Sequence, residues 1–111
     1  MLRLQPGANE YGRDEVALFV QAGSLGTPND RLKLLNDISR SHVRIQLGVD
    51  GTAAIRSLGK NATGVRVPGD GWEWLLRDDE RALVEGMEIC FHKRPAWSEL
   101  TTLVLRCRRH L

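Results

Sequence analysis

Turn signals recur roughly every eight to twelve residues along this chain, and the segments between them are short and mix apolar with β-branched side chains. Breaks at that spacing leave little room for ordinary helices. The pattern predicts an all-β fold, a sandwich or a barrel, with no internal repeat. Residues 1–6 alternate Leu2 and Leu4 against Arg3 and Gln5, which predicts a first strand stopping at Pro6-Gly7, with a polar loop after it. Residues 16–20 (Val-Ala-Leu-Phe-Val) predict a second strand running into the turn-rich residues 23–30, and residues 31–35 form a brief, partly alternating segment. Val43, Ile45 and Leu47 alternate with Arg44 and Gln46, and Val49-Asp50-Gly51-Thr52 predicts a hairpin into residues 53–58. Further strands are predicted at residues 65–67, 72–76, 82–84, 89–91 and 101–106. The charge run 77–81 reads as a solvated turn, and only residues 77–84 have a pattern open to helix.

A chain of 111 residues suffices for one domain with its own core, spanning 1–111, and is too short for two. Its net charge of +2 is too small to argue for nucleic acid as the direct partner. No apolar run reaches the roughly 20 residues a membrane helix needs, and no basic-then-apolar leader opens the chain. The expected setting is cytosolic or nuclear. Cys90 and Cys107 fit either buried thiols or a disulfide between neighbouring strands. Together with His92 and His110 they match no common zinc spacing, so no metal and no cofactor is expected.

Between Ile38 and the strand at Val43 lie Ser39-Arg40-Ser41-His42, held on the edge of a half-buried strand. A serine hydroxyl donates to anionic oxygen, an arginine grips phosphate or carboxylate as a fork, and a histidine braces a loop through both ring nitrogens. A second polar loop, Gly59-Lys60-Asn61-Ala62-Thr63-Gly64, is the natural one to converge with it. Taken singly, Arg40 and Lys60 read as solvated charges and Asn61 as a turn residue. Together the two loops point to anion recognition. Catalysis by Ser39 and His42 is disfavoured, because no glycine-flanked nucleophile turn surrounds the serine and no third member is evident. Trp72 and Trp74 share one face of their strand, where packing over the end of the fold is the expected use and an exposed platform the alternative. Trp97 beside Pro95 reads as a loop anchor, and Arg106, Arg108, Arg109 and His110 as a basic tail or a linker to further chain.

These landmarks resemble the forkhead-associated (FHA) family of phosphothreonine-peptide-binding β-sandwiches, which have about eleven strands. Ser39-Arg40-Ser41-His42 is similar to the family's Ser-Arg-x-His signature. The Asn61 loop and the turn Leu83-Val84-Glu85-Gly86-Met87-Glu88-Ile89 match later landmarks in the right order. Within the family, Leu58-Gly59-Lys60-Asn61 and the first six residues look most like the domains of DNA-repair proteins such as polynucleotide kinase/phosphatase, aprataxin and nibrin. The resemblance implies a two-sheet sandwich, a module of a larger nuclear protein, and a phosphorylated protein segment as partner, with homo-oligomerisation left open. It implies that Ser39 and Arg40 contact phosphate, that Asn61 bonds the peptide backbone, and that His42 supports the loop from beneath.

Two departures stand out. The family's Gly-Arg, whose arginine grips the phosphate, aligns with Gly26-Thr27 or, in a shifted register, Gly23-Ser24, and neither supplies a cation. Arg40 and Lys60, with Arg31 or Lys33, then have to compensate for a phosphoryl charge of about −1.5 to −2. The family's Asn-Gly reads Asn61-Ala62, which removes glycine's easy access to positive φ. The alternative function is therefore a degenerate domain that assembles or dimerises without phosphate.

Overall fold

The computed structural model describes residues 6–19, 28–50, 52–93 and 101–104. Its strands are β1 (Gly7–Tyr11), β2 (Val43–Leu47), β3 (Ala53–Ser57), β4 (Thr63–Arg66), β5 (Glu73–Leu75), β6 (Glu80–Leu83), β7 (Glu88–Cys90) and β8 (Thr102–Val104), with helices α1 (Arg13–Phe19) and α2 (Pro28–Asn36) between β1 and β2. They form two four-stranded sheets, ordered β1-β2-β3-β6 and β5-β4-β7-β8, with every pairing antiparallel. The β-sandwich read from the sequence is thus observed, with eight strands among the described residues.

Alternation explains the layers. Val43 and Ile45 of β2, Ile55 of β3, Val65 of β4, Ile89 of β7 and Leu103 of β8 turn inward, where they are buried. Ser57 and Thr63 are buried as well, and their hydroxyls meet at 3.2 Å where the chain crosses from one sheet to the other. On the opposite face of β4, Gly64 makes room for aromatic rings: a Cβ there would lie 2.8 Å from the Trp74 ring and 3.0 Å from that of Trp72. The two tryptophans are half-buried, as packing predicts, with ring centroids 5.9 Å apart.

Three local expectations are corrected. Residues 7–11, read as loop, form the edge strand β1, because pairing with β2 satisfies their backbone although their side chains carry little apolar signal. Residues 16–19, read as strand, belong to α1: Glu15 Oε1 accepts the Gly12 N–H at 2.8 Å, Val16 N closes the first turn on Gly12 O at 3.0 Å, and Asp14 and Glu15 stand at the positive helix end. Residues 31–35 belong to α2, which starts at Pro28, where a missing N–H costs nothing, and buries Leu34 and Leu35, with Ile38 buried just beyond its end. Conversely, residues 77–84, read as the one stretch open to helix, are a turn followed by β6.

The hairpin after β2 forms as expected, with Gly48 N bonded to Thr52 O at 2.8 Å and Asp50 Oδ1 accepting from Thr52 N and Oγ1. In the late turn, Gly86 adopts φ of 90°, and Met87 N bonds Val84 O at 3.1 Å. The strand expected at residues 1–5, Trp97, Cys107, His110 and the basic tail lie outside the described residues. Among the described residues no helix is long and apolar enough to cross a membrane.

Candidate functional site

Strand register decides which loops meet. Tyr11 pairs with Val43 and Val43 with Ser57, so the end of β1, the start of β2 and the end of β3 lie side by side. Gly64 pairs with Cys90, which brings residues 91–93 to the same end of the sandwich. Residues 12–13, 37–42, 58–62 and 91–93 therefore converge there.

Ser39 and the Lys60 loop are in direct contact: Lys60 N–H donates to Ser39 Oγ at 3.2 Å. That bond uses a serine lone pair and leaves the hydroxyl proton free to point elsewhere. Next to it, Asn61 Nδ2 donates to Asp37 O at 2.7 Å, tying the second loop to the first from another angle. One amide N–H and Oδ1 of Asn61 have no hydrogen-bond partner among the described residues.

His42 is buried beneath both loops. Its N–H donates to Tyr11 O at 2.9 Å, its carbonyl accepts from Leu58 N and Gly59 N, and its Nδ1 accepts from Ser39 N at 3.2 Å. An accepting Nδ1 puts the proton of the neutral ring on Nε2. Among the described residues Nε2 has no partner within hydrogen-bond geometry. Burial pushes the pKa of His42 down to about 4, the Ala62 backbone opposes this, and the charge of nearby His92 adds to it. The ring is therefore neutral at physiological pH, as its acceptor role demands.

A Gly-Arg pair stands earlier in the chain than the position where the resemblance leads one to expect it. Gly26 and Thr27 lie outside the described residues, but Gly12-Arg13, at the end of β1, sits against the Ser39 loop. A Cβ on Gly12 would come 2.0 Å from Arg40 O and 2.4 Å from Ser39 O, so only glycine allows this approach. Arg13 N donates to Ser39 O at 3.0 Å, and its Nε donates to Leu35 O at 2.8 Å and Ile38 O at 3.0 Å. Neither terminal guanidinium nitrogen of Arg13 has a hydrogen-bond partner among the described residues. The signal was present in the sequence as a Gly-Arg dipeptide, but the two intervening helices separate it from Ser39 by more chain than the resemblance leads one to expect.

Arg40 and Lys60 are exposed, and their side chains have no acidic partner among the described residues. By contrast Arg44, Arg56, Arg66 and Arg81 are paired with Glu10, Glu80, Glu88 and Glu73. Arg31, named as a substitute cation, is engaged elsewhere: its Nη2 donates to Ala17 O at 3.2 Å, joining α2 to α1. Lys33 is exposed near the end of α2. Of the cysteines and histidines whose spacing matches no zinc module, Cys90 donates to His92 O at 2.9 Å, and His92 Nε2 lies 2.9 Å from Asp37 Oδ2. Burial raises the pKa of Cys90, which makes it a poor thiolate ligand or nucleophile.

The FHA domain of human APLF, solved in complex with an XRCC1 bisphospho peptide, superimposes with a TM-score of 0.53 at 18% identity, over 79% of this chain and 73% of that one. This chain has the forkhead-associated fold. No protein-family model matches it, and no curated protein does. Within the FHA-like sandwich, the loops described above all emerge at one end.

Proposed function

We propose that the domain is a non-catalytic module that binds a phosphothreonine-containing segment of another protein. The observation that carries this is the contact between Lys60 N–H and Ser39 Oγ, which joins the two loops and leaves the hydroxyl proton free, beside Arg40 and Lys60, whose side chains have no acidic partner among the described residues. In this reading the Ser39 O–H donates to a phosphoryl oxygen, and Arg40 and Lys60 supply charge. The terminal nitrogens of Arg13 complete the compensation, doing what Thr27 lacks the chemistry to do. The free amide atoms of Asn61 bond the peptide backbone, while His42 and Gly12 hold the loops in place. The APLF domain, of the same fold, is bound to a phosphorylated peptide, and its partner's name gives the DNA-damage setting and a nuclear location their support.

Titration of a phosphothreonine peptide library against the domain tests the reading. Binders are expected to lose affinity on dephosphorylation and on Ser39→Ala or Lys60→Ala. A library with no phosphate-dependent binder would overturn it. The phosphate-independent assembly reading drew on the absence of a cation at Thr27, and Arg13, whose backbone bonds Ser39 O, is the residue that speaks against it. Partner binding that survives phosphatase treatment would restore it.

A further inference from the structure

Asp37 is held on three sides. Its N–H donates to Lys33 O at 3.2 Å and Leu34 O at 3.1 Å, which fastens it to the end of α2. Its carboxylate Oδ2 lies 2.9 Å from Nε2 of His92, two residues beyond β7. Its carbonyl accepts from Asn61 Nδ2 at 2.7 Å. One residue thus joins α2, the segment after β7 and the Asn61 loop. The phosphopeptide reading uses Asn61 but leaves Asp37 and His92 without a role.

Chemistry fixes the polarity of these contacts. A main-chain carbonyl only accepts, so the amine end of the Asn61 amide faces Asp37 and Oδ1 is turned away from it. An ionised carboxylate likewise only accepts, so His92 carries its proton on Nε2. His92 is itself anchored, since its carbonyl accepts from the Cys90 thiol at 2.9 Å and its side chain is only 12% exposed, against 48% for Asp37. The half-exposed carboxylate leans on a nearly buried ring. Asn61 is exposed, and an amide without such a hold turns either its donor or its acceptor end to a ligand.

We propose that Asp37 and His92 are positioning residues for recognition: His92 holds the Asp37 carboxylate, Asp37 holds the Asn61 amide, and Oδ1 of Asn61 is thereby presented to a backbone N–H of the bound segment. This rests on the phosphopeptide reading above and adds to it the pair that orients its backbone contact. Asp37 also has an opposing effect. Its negative charge adjoins the loop that carries Ser39 and Arg40 and touches Arg13 and Lys60, so it works against a phosphoryl group. Position and charge therefore separate two simple substitutions.

The test is calorimetric titration of the 111-residue chain with a phosphothreonine peptide drawn from the library binders, alongside nitrogen-15 spectra of the Asn61 side-chain amide in the free chain. Asp37→Asn keeps an acceptor for His92 and removes the acid, so affinity should stay at the parent level or rise. Asp37→Ala removes the same charge but releases His92, and should bind roughly 2- to 10-fold more weakly than Asp37→Asn, about the net worth of one hydrogen bond. His92→Ala should bring a similar loss, and His92→Gln, whose amide can donate in place of Nε2, should restore it. The Asn61 amide signals should sharpen toward free rotation in the two alanine variants and keep the parent pattern in the conservative ones, a readout that also confirms folding. In an Asn61→Ala background, neither Asp37→Ala nor His92→Ala should weaken binding further. A merely structural role would lower affinity there as well, and that result would overturn the positioning while leaving the phosphothreonine reading in place. Equal affinity of Asp37→Ala and Asp37→Asn would overturn it in the same way. Absence of phosphopeptide binding by the parent chain would overturn both readings together.

Discussion

The imidazole of His42 lies so close beneath Gly59 that a Cβ at position 59 would sit 2.5 Å from Nδ1 and 2.8 Å from Cε1. The ring can lie there only under a residue without a side chain, and it is this closeness that lets the His42 carbonyl accept from both Leu58 N and Gly59 N. The brace and the loop it supports are therefore one packed unit.

Gly59→Ala should cost about 1–3 kcal/mol, the usual range for overpacking a filled interior, because the buried ring has nowhere to retreat. Urea denaturation gives the stability, and the same variant should lose affinity for phosphopeptide through displacement of Lys60. Retention of both at the parent level would contradict the packing described.

The depressed pKa of His42 makes stability depend on pH. Above 6.5 the ring is neutral in folded and unfolded chains alike, so the full stability is present. As pH falls below 6.5 the unfolded chain takes up a proton that the buried ring refuses until about pH 4, and stability is lost across that window. The loss from this group is at most on the order of 3 kcal/mol. Thermal melts of parent and His42→Gln between pH 7 and pH 4 test it: the variant should be less stable at neutral pH and should show a shallower decline.

Arg13 ties the end of α2 to the Ser39 loop: its Nε donates to Leu35 O, which also accepts from Ile38 N, and to Ile38 O just beyond the helix. Arg13→Ala should cost about 2–3 kcal/mol, since two hydrogen bonds from a charged donor are lost. Phosphopeptide affinity should fall further than stability accounts for, and the difference isolates the terminal guanidinium nitrogens. If affinity falls only in proportion to unfolding, Arg13 is a strut alone.

Gly12→Ala places a Cβ against main-chain carbonyls that cannot rotate aside, in contrast to Gly59, whose neighbour is a side chain. We expect a larger loss than for Gly59→Ala, above about 3 kcal/mol, with poor recovery of folded protein. Hydrogen exchange on residues 39–42 would locate the damage in the variant that does fold.

Ser57 and Thr63 satisfy each other's hydroxyls at 3.2 Å between the sheets. Ser57→Ala leaves the Thr63 hydroxyl buried without its partner and should cost about 1–3 kcal/mol. Replacing both at once, with alanine at 57 and valine at 63, should cost less than the sum of the two single changes, which a double-mutant cycle measures.

What alternation and turn chemistry reveal without coordinates is the sandwich itself and the two polar loops, because period-2 burial in β2 and β3 and the glycine of the 83–89 turn are local properties. Local reading failed at α1 and α2, where a β-branched apolar run and a short alternating one yielded to helix. Caps at Gly12–Glu15 and at Pro28, and burial of Leu34 and Leu35, outweighed propensity.

The sequence alone specified residue types suited to anion recognition: a hydroxyl, cations, and a histidine placed to brace. Which arginine lies against the Ser39 loop was decided only by tertiary structure, since Arg13 reaches carbonyls 22 and 25 residues away. Strand register places the end of β1 beside the start of β2 whatever lies between them. A chain's order records neighbours along the backbone, whereas the site is assembled from segments that pairing and burial bring to one end of the sandwich.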